Sequence, residues 1–147
     1  MKDADLELRN RAYGRFVELG RAPSFQELAD ELGRPLKDVT SGMRRLHDAH
    51  AVVLEPEGDR IRMANPFSAV PTPHRVLADE REWFANCAWD AFGVLATLDV
   101  SGHVSSSCPD CGAAVEINVH DREPVDDDHL VHVNVPAAHW WDDIVFT

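Results

Sequence analysis

Basic residues nearly vanish from the second half of this chain. Residues 66–147 hold 3 Lys/Arg against 14 Asp/Glu, a net −11, whereas residues 1–65 hold 11 against 12, a net −1. Binding nucleic acid means neutralising phosphates, so the second half is excluded from that role and any DNA contact would fall to the first. Long apolar runs are missing as well: no stretch approaches the ~20 residues that a membrane helix needs. The opening "MKDADLELRN" has no apolar core of the kind a signal peptide carries. A soluble, cytoplasmic protein with no membrane partner is therefore expected. Cysteine is scarce too, and the 3 present are expected as thiols or ligands, not as a disulfide framework. What the chain does have is 44% apolar residues over 147 positions, enough for one ordinary domain or two small ones.

The first half has helical punctuation. In "DADLELRNRAYGRFVELG" the residues Leu6, Tyr13, Phe16, Val17 and Gly20 recur at roughly helical spacing. Ser24 followed three positions later by Glu27 is a capping-box signature, with Leu28, Ala29 and Leu32 on one face and Gly33 as the stop. A third helix is expected from Pro35 to about His50, with Leu36, Val39, Met43 and Leu46 inward. "AVVLEPEGDRIRMA" then reads as two short strands around Glu-Gly-Asp. Three helices and a hairpin resemble a winged helix-turn-helix over residues 5–64, in which Lys37, Arg44 and Arg45 would be phosphate or base contacts. The balanced charge of this half speaks for an ordinary solvated face instead, so DNA is not the expected partner.

The organisation expected is residues 1–64 as a winged-helix-like domain, a Pro-rich connector over 65–76, and an α+β domain over 77–147. Pro66, Pro71 and Pro73 mark the connector. "LADEREWFANCAWDAFGVL" reads as a helix from Leu77 to about Leu95, with acidic residues in its first turn and Cys87 on its apolar stripe. Asp90 then lies one turn on from Cys87, with Trp83 and Trp89 flanking both. Beyond it the period falls to two: a hairpin around Ser101-Gly102, a tight turn at "CPDCG", and strands at "AAVEINV", "HLVHVNV" and "DDIVFT". That is a helix plus a mostly antiparallel sheet. The last run stops at Thr147 with no closing turn, which reads as a sequence cut short.

A thiol on an apolar face is most often a small hydrophobe. A carboxyl beside it is harder to dismiss, because burial raises its pKa and equips it to hold and release a proton. A thiolate binds soft metals. Sulfur for a metal and an acid for a departing carbanion are what cleaving a carbon–metal bond requires.

"WFANCAWDAFGVLATL", "GHVSSSCPDCGAAVEINV" and "VPAAHWWDDIVFT" resemble the alkylmercury lyase family over about residues 60–147. The pattern Asn-Cys-Ala-x-Asp is carried by Asn86, Cys87, Ala88, Trp89 and Asp90. The resemblance implies that Cys87 takes the mercury of an organomercurial as a thiolate and that Asp90 takes part in proton transfer to the leaving carbon. The products would be a hydrocarbon and bound Hg(II), passed on to a thiol or a mercuric reductase, with no organic cofactor. It also implies a second catalytic cysteine, in the strand region after residue 147. A chain with Cys87 and Asp90 alone is expected to be weak or inactive.

Cys108 and Cys111 in "CPDCG" match one half of a zinc ribbon, so a closed Zn site would need His103, His120, Cys87 or a second chain. The family resemblance gives Cys108 a structural role and leaves Cys111 unassigned; a Zn or Hg clamp is the alternative. His129 and His132 would point to opposite faces of a strand, a poor ligand geometry. His139 is expected to pack or meet solvent, His47 and His50 to sit at a helix end, and Asp126, Asp127 and Asp128 to form a solvated turn. A rival reading from another class is a winged-helix transcriptional regulator that senses a thiophilic metal through Cys87, Cys108 and Cys111.

Overall fold

The computed structural model describes residues 3–125 and 128–145. Helix α1 spans Asp3–Leu19, α2 Phe25–Leu32 and α3 Leu36–Asp48. The short strands β1 (Val53–Leu54), β2 (Ile61–Ala64) and β3 (Phe67–Ser68) follow, then β4 (Arg75–Ala78) and β5 (Arg81–Ala85). Helix α4 (Ala88–Leu98) leads into β6 (Gly102–Ser107), β7 (Ala114–His120) and β8 (Glu123–Val125), and a 3-10 helix covers Ala137–Asp142. The strands form one antiparallel sheet in the order β1-β2-β3-β5-β4-β6-β7-β8. This is the expected α+β class: helices first, then an antiparallel sheet with one helix.

The capping box opens α2 as expected. The Glu27 N–H donates to Ser24 Oγ at 3.1 Å and the Ser24 N–H to Glu27 Oε2 at 2.7 Å. Gly33 closes α2 in the left-handed region at φ 60°. The sequence of α1, α2, turn, α3 and the β1–β2 hairpin is the element order of a winged helix. Two apolar positions differ from expectation: Leu6 and Leu36 face solvent at 44% and 45% exposure. Helix α1 instead buries Leu8, Ala12 and Phe16, four residues apart, together with Asp5. Arg45 of α3 holds that buried carboxylate through Nε at 3.0 Å and Nη2 at 2.6 Å.

The expected connector, residues 65–76, carries β3 and the start of β4, and so lies within the sheet. Phe67 on β3 packs against Phe16 of α1 with ring centroids 5.3 Å apart, and against Trp83 of β5 at 6.5 Å. The Trp83 indole N–H donates to Val17 O at 3.2 Å, which ties the sheet to α1. Helices and sheet thereby share one apolar core.

The second half departs from the expected elements in four places. The expected helix over 77–95 is a hairpin followed by a shorter helix. Asp79 and Glu80 both take positive φ, 50° and 62°, and form the two-residue turn between β4 and β5. The acidic residues that resembled a helix start are turn residues, and the flanking segments alternate exposed and buried as strands do. No hairpin forms at Ser101-Gly102, because α4 runs on to Leu98 and β6 begins at Gly102. A Cβ at Gly102 would lie 2.6 Å from Leu95 Cδ2 and 2.7 Å from Leu77 O, so α4 and β4 close on a glycine there. "HLVHVNV", residues 129–135, forms no strand; β8 occupies that edge of the sheet and Leu130 is almost wholly exposed. The described part of "DDIVFT" ends the 3-10 helix and turns, with Pro136 opening that helix; Phe146 and Thr147 lie outside the described residues.

Replacing Phe67, fully buried between Phe16 and Trp83, should expose how far the two halves depend on each other. Phe67→Ala is expected to lower unfolding stability by about 3–5 kcal/mol, read as a shifted denaturation midpoint in urea.

Candidate active site

Strand β5 delivers Cys87 to its place. Two residues after Ala85 the chain turns into α4, and Cys87 is the N-cap residue with extended φ −148° and ψ 177°. Cys87 thus sits at the mouth of a helix and not on the stripe of a longer one. The Asp90 backbone N–H donates to Cys87 Sγ at 3.4 Å. Asp90 occupies the first turn of α4, three residues after Cys87. The pair expected from the sequence is therefore brought together, by a helix cap.

Burial dominates the electrostatics. It pushes the Asp90 carboxyl above its ordinary value, against the hydrogen bonds from Asn86 and Cys87 that favour the charged form. It also pushes the Cys87 thiol up, opposed by the Asp90 N–H and reinforced by the Asp90 charge. Both shifts favour the protonated forms of these two neighbouring groups. The Asp90 charge reaches across to α1 as well, where the Tyr13 phenol is raised by burial first and by Asp90 in part.

Asn86 is the residue to which sequence reasoning gave no chemistry. Its Nδ2 lies 3.0 Å from Asp90 Oδ2, 3.0 Å from Asn65 Oδ1 and 3.1 Å from Pro66 O. That amide orients the carboxylate and fixes the β2–β3 loop against α4. Its signal in the sequence is a side-chain amide four residues ahead of an aspartate.

Cys87, Ala88 and Trp89 form one wall of a cavity of about 240 Å³, whose other wall is Val131–Val135 and Trp140. Trp89 and Val131 also line an adjoining cavity of about 320 Å³, with Phe92, Leu95, Val100 and Val119. Of the two tryptophans expected to flank the pair, Trp89 does so, whereas Trp83 is buried under α1.

The other candidates lie apart. All three cysteines are free thiols. Cys108 and Cys111 share the tight β6–β7 turn. His103 is engaged by Asn118 Oδ1 at 2.9 Å and Glu116 Oε2 at 2.6 Å, and His120 by Asp121. Among the described residues no three Cys, His, Asp or Glu converge as a metal site. His129 and His132 lie outside any strand, so the alternation expected for them does not apply. His139 pairs with Asp142 at 3.0 Å, and His50 stacks on Trp141 at 3.8 Å between centroids. Asp126 and Asp127 lie outside the described residues. Of the basic residues weighed as DNA contacts, Arg45 is taken by Asp5, while Lys37 and Arg44 are exposed.

The family model "MerB: Alkylmercury lyase" matches residues 67–147, more than half of the chain and all of the Cys87–Asp90 region. The chain belongs to the alkylmercury lyase family. It is 26% identical over 119 residues to an alkylmercury lyase of Bacillus cereus, a match covering 81% of this chain and 50% of that protein. An alkylmercury lyase of Staphylococcus epidermidis is 29% identical over 113 residues, covering 77% and 47%. The chain thus spans about half the length of these relatives. The crystal structure of the mercury-bound form of MerB2 matches with a TM-score of 0.68 at 21% identity, over 85% of this chain and 60% of that one, which shows a shared fold.

Two substitutions test the electrostatics in a Cys108→Ser/Cys111→Ser background. Asp90→Asn removes the neighbouring charge, so the Cys87 thiol pKa should fall, read from the pH dependence of its alkylation rate. Asn86→Ala removes a hydrogen bond to the carboxylate, so the Asp90 pKa should rise further, read by carboxyl NMR titration.

Proposed function

We propose that this chain cleaves the carbon–mercury bond of organomercurials by protonolysis. The observation that carries the reading is a half-buried thiol on the wall of an apolar cavity, hydrogen-bonded by the backbone N–H of Asp90, whose half-buried carboxyl follows one helical turn on. The names of the chain's relatives point to the same chemistry.

The first step exchanges a ligand. Cys87 Sγ displaces the counter-ligand of R–Hg–X, forms Cys87–S–Hg–R, and passes its proton to Asp90. The carboxyl, made a better acid–base group by burial, then returns that proton to the carbon as the carbon–mercury bond breaks, giving R–H. A second thiol takes the position on mercury that the carbon leaves and releases its proton to solvent, Asp90 having returned to the carboxylate when it protonated the carbon. Among the described residues no other cysteine lines the Cys87 cavity, so a second thiol must reach it from elsewhere. The adjoining apolar cavity suits an alkyl or aryl group. No organic cofactor enters this balance. Hg(II) leaves held by thiols, for a small thiol or a mercuric reductase to accept, and a reducing, cytoplasmic setting would keep Cys87 free.

Release of methane or benzene from methyl- or phenylmercury chloride, in excess small-molecule thiol, is the measurement. Cys87→Ser should abolish turnover, and Asp90→Ala should slow it by roughly 10²–10⁴-fold, the scale of one acid–base group. Hydrocarbon release undiminished in Cys87→Ser would overturn the assignment.

A further inference from the structure

The turn between β6 and β7 holds two thiols that the proposed reaction does not use. Cys108 N–H donates to Ala113 O at 2.9 Å and Gly112 N–H to Cys108 O at 2.8 Å, which closes a tight loop over Pro109–Cys111. Gly112 takes φ +71°, where a side chain would be strained. Cys108 and Cys111 stand three residues apart on this closed loop. Cys111 is exposed and Cys108 partly so.

The number of ligands decides the metal. Structural zinc takes four protein ligands, and among the described residues no third Cys, His, Asp or Glu joins this pair. His103 and His120 stand at the far end of the β6–β7 ladder from this turn, and His74, beside the end of β6, is held by Ser106 Oγ at 2.8 Å. Two cysteines on one closed turn, with no third ligand, suit a soft ion that is content with two sulfurs.

The place in the sheet adds a reason. Ala85 N–H donates to His74 O at 2.9 Å, and His74 Nδ1 lies 2.8 Å from Ser106 Oγ, so Ala85, His74 and Ser106 form one row across β5, β4 and β6. Cys87 follows that row by two residues, just past the end of β5, and Cys108 follows it by two, just past the end of β6. The two strands are separated only by β4, a lateral offset of about 10 Å at ordinary strand spacing. Both sulfur positions are at the same end of the sheet.

We propose that Cys108 and Cys111 form a two-thiolate site for Hg(II), distinct from Cys87 and placed to hold mercury near it. Binding is a ligand exchange. Mercury carried by two glutathione sulfurs passes to the two cysteines, and the cysteine protons go to the departing glutathiones. The role as a holding site for Hg(II) made at Cys87 rests on the lyase reading; the binding itself does not.

The test uses the full chain, reduced, with Cys87→Ser as the parent, dialysed against HgCl2 buffered by excess glutathione. The parent should retain one Hg(II) per chain as a monomer in native mass spectrometry. Adding Cys111→Ser should weaken retention at least tenfold. Equal retention in the two chains, or mercury that bridges two copies, would overturn the proposal. In the unsubstituted chain, Hg(II) should protect Cys108 and Cys111 together from iodoacetamide, and independent alkylation of the two would count against it. Cys87 is absent from both dialysed chains, so their result is readable whether or not the lyase reading stands.

Discussion

The position of Cys87 depends on the burial of Trp83. The indole is enclosed beneath α1, with its N–H satisfied by Val17 O and its ring against Phe67. Burying so large a side chain fixes which face of β5 is inward, because a slip of one residue would turn every side chain to the opposite face. Ala85, two residues on, falls on the same buried side, and the chain then leaves the sheet at Asn86 and caps α4 with Cys87. The helical unit therefore acts on the site through packing: α1 anchors the strand that ends at the sulfur.

The site itself is a balance between burial and hydrogen bonding. Enclosure by α1, the β2–β3 loop and α4 raises the proton affinity of Asp90, and the Asn86 amide limits the rise by favouring the carboxylate. Burial strengthens the carboxyl as a base relative to one left in water, and the Asn86 hydrogen bond works in the opposite sense. The same enclosure raises the proton affinity of the Cys87 sulfur, so burial shifts the thiol and the carboxyl in the same direction.

The segment after β8 contributes in a way that its sequence disguises. It alternates valine with polar residues like a strand, yet it pairs with none and lies over Cys87 as the far wall of the cavity. Trp140 lines that cavity and donates its indole N–H to Val135 O at 2.7 Å, while Trp141 stacks on His50 beyond α3. Two adjacent tryptophans thereby fasten one segment to both the site and the helical unit.

Much of the first half was legible, because its signals are local: the Ser24–Glu27 box, the Gly33 stop and the Glu-Gly-Asp hairpin each act within a few residues. In the second half, "CPDCG", the strand at Ala114–His120 and the Asn-Cys-Ala-x-Asp pattern were legible for the same reason, and that pattern also pointed to the family. The stretch from Leu77 to Ala85 reads as helix because its apolar spacing fits either period, and only pairing with β6 and burial of Trp83 under α1 select the strand. The sequence alone determined that a thiol and a carboxyl stand three residues apart, in a half of the chain too acidic for nucleic acid. Only tertiary structure decided that this spacing is a helix cap, that Asn86 holds the carboxylate, and that the Val131–Val135 segment covers the sulfur. Those outcomes rest on contacts between residues far apart in the chain, which local spacing does not encode.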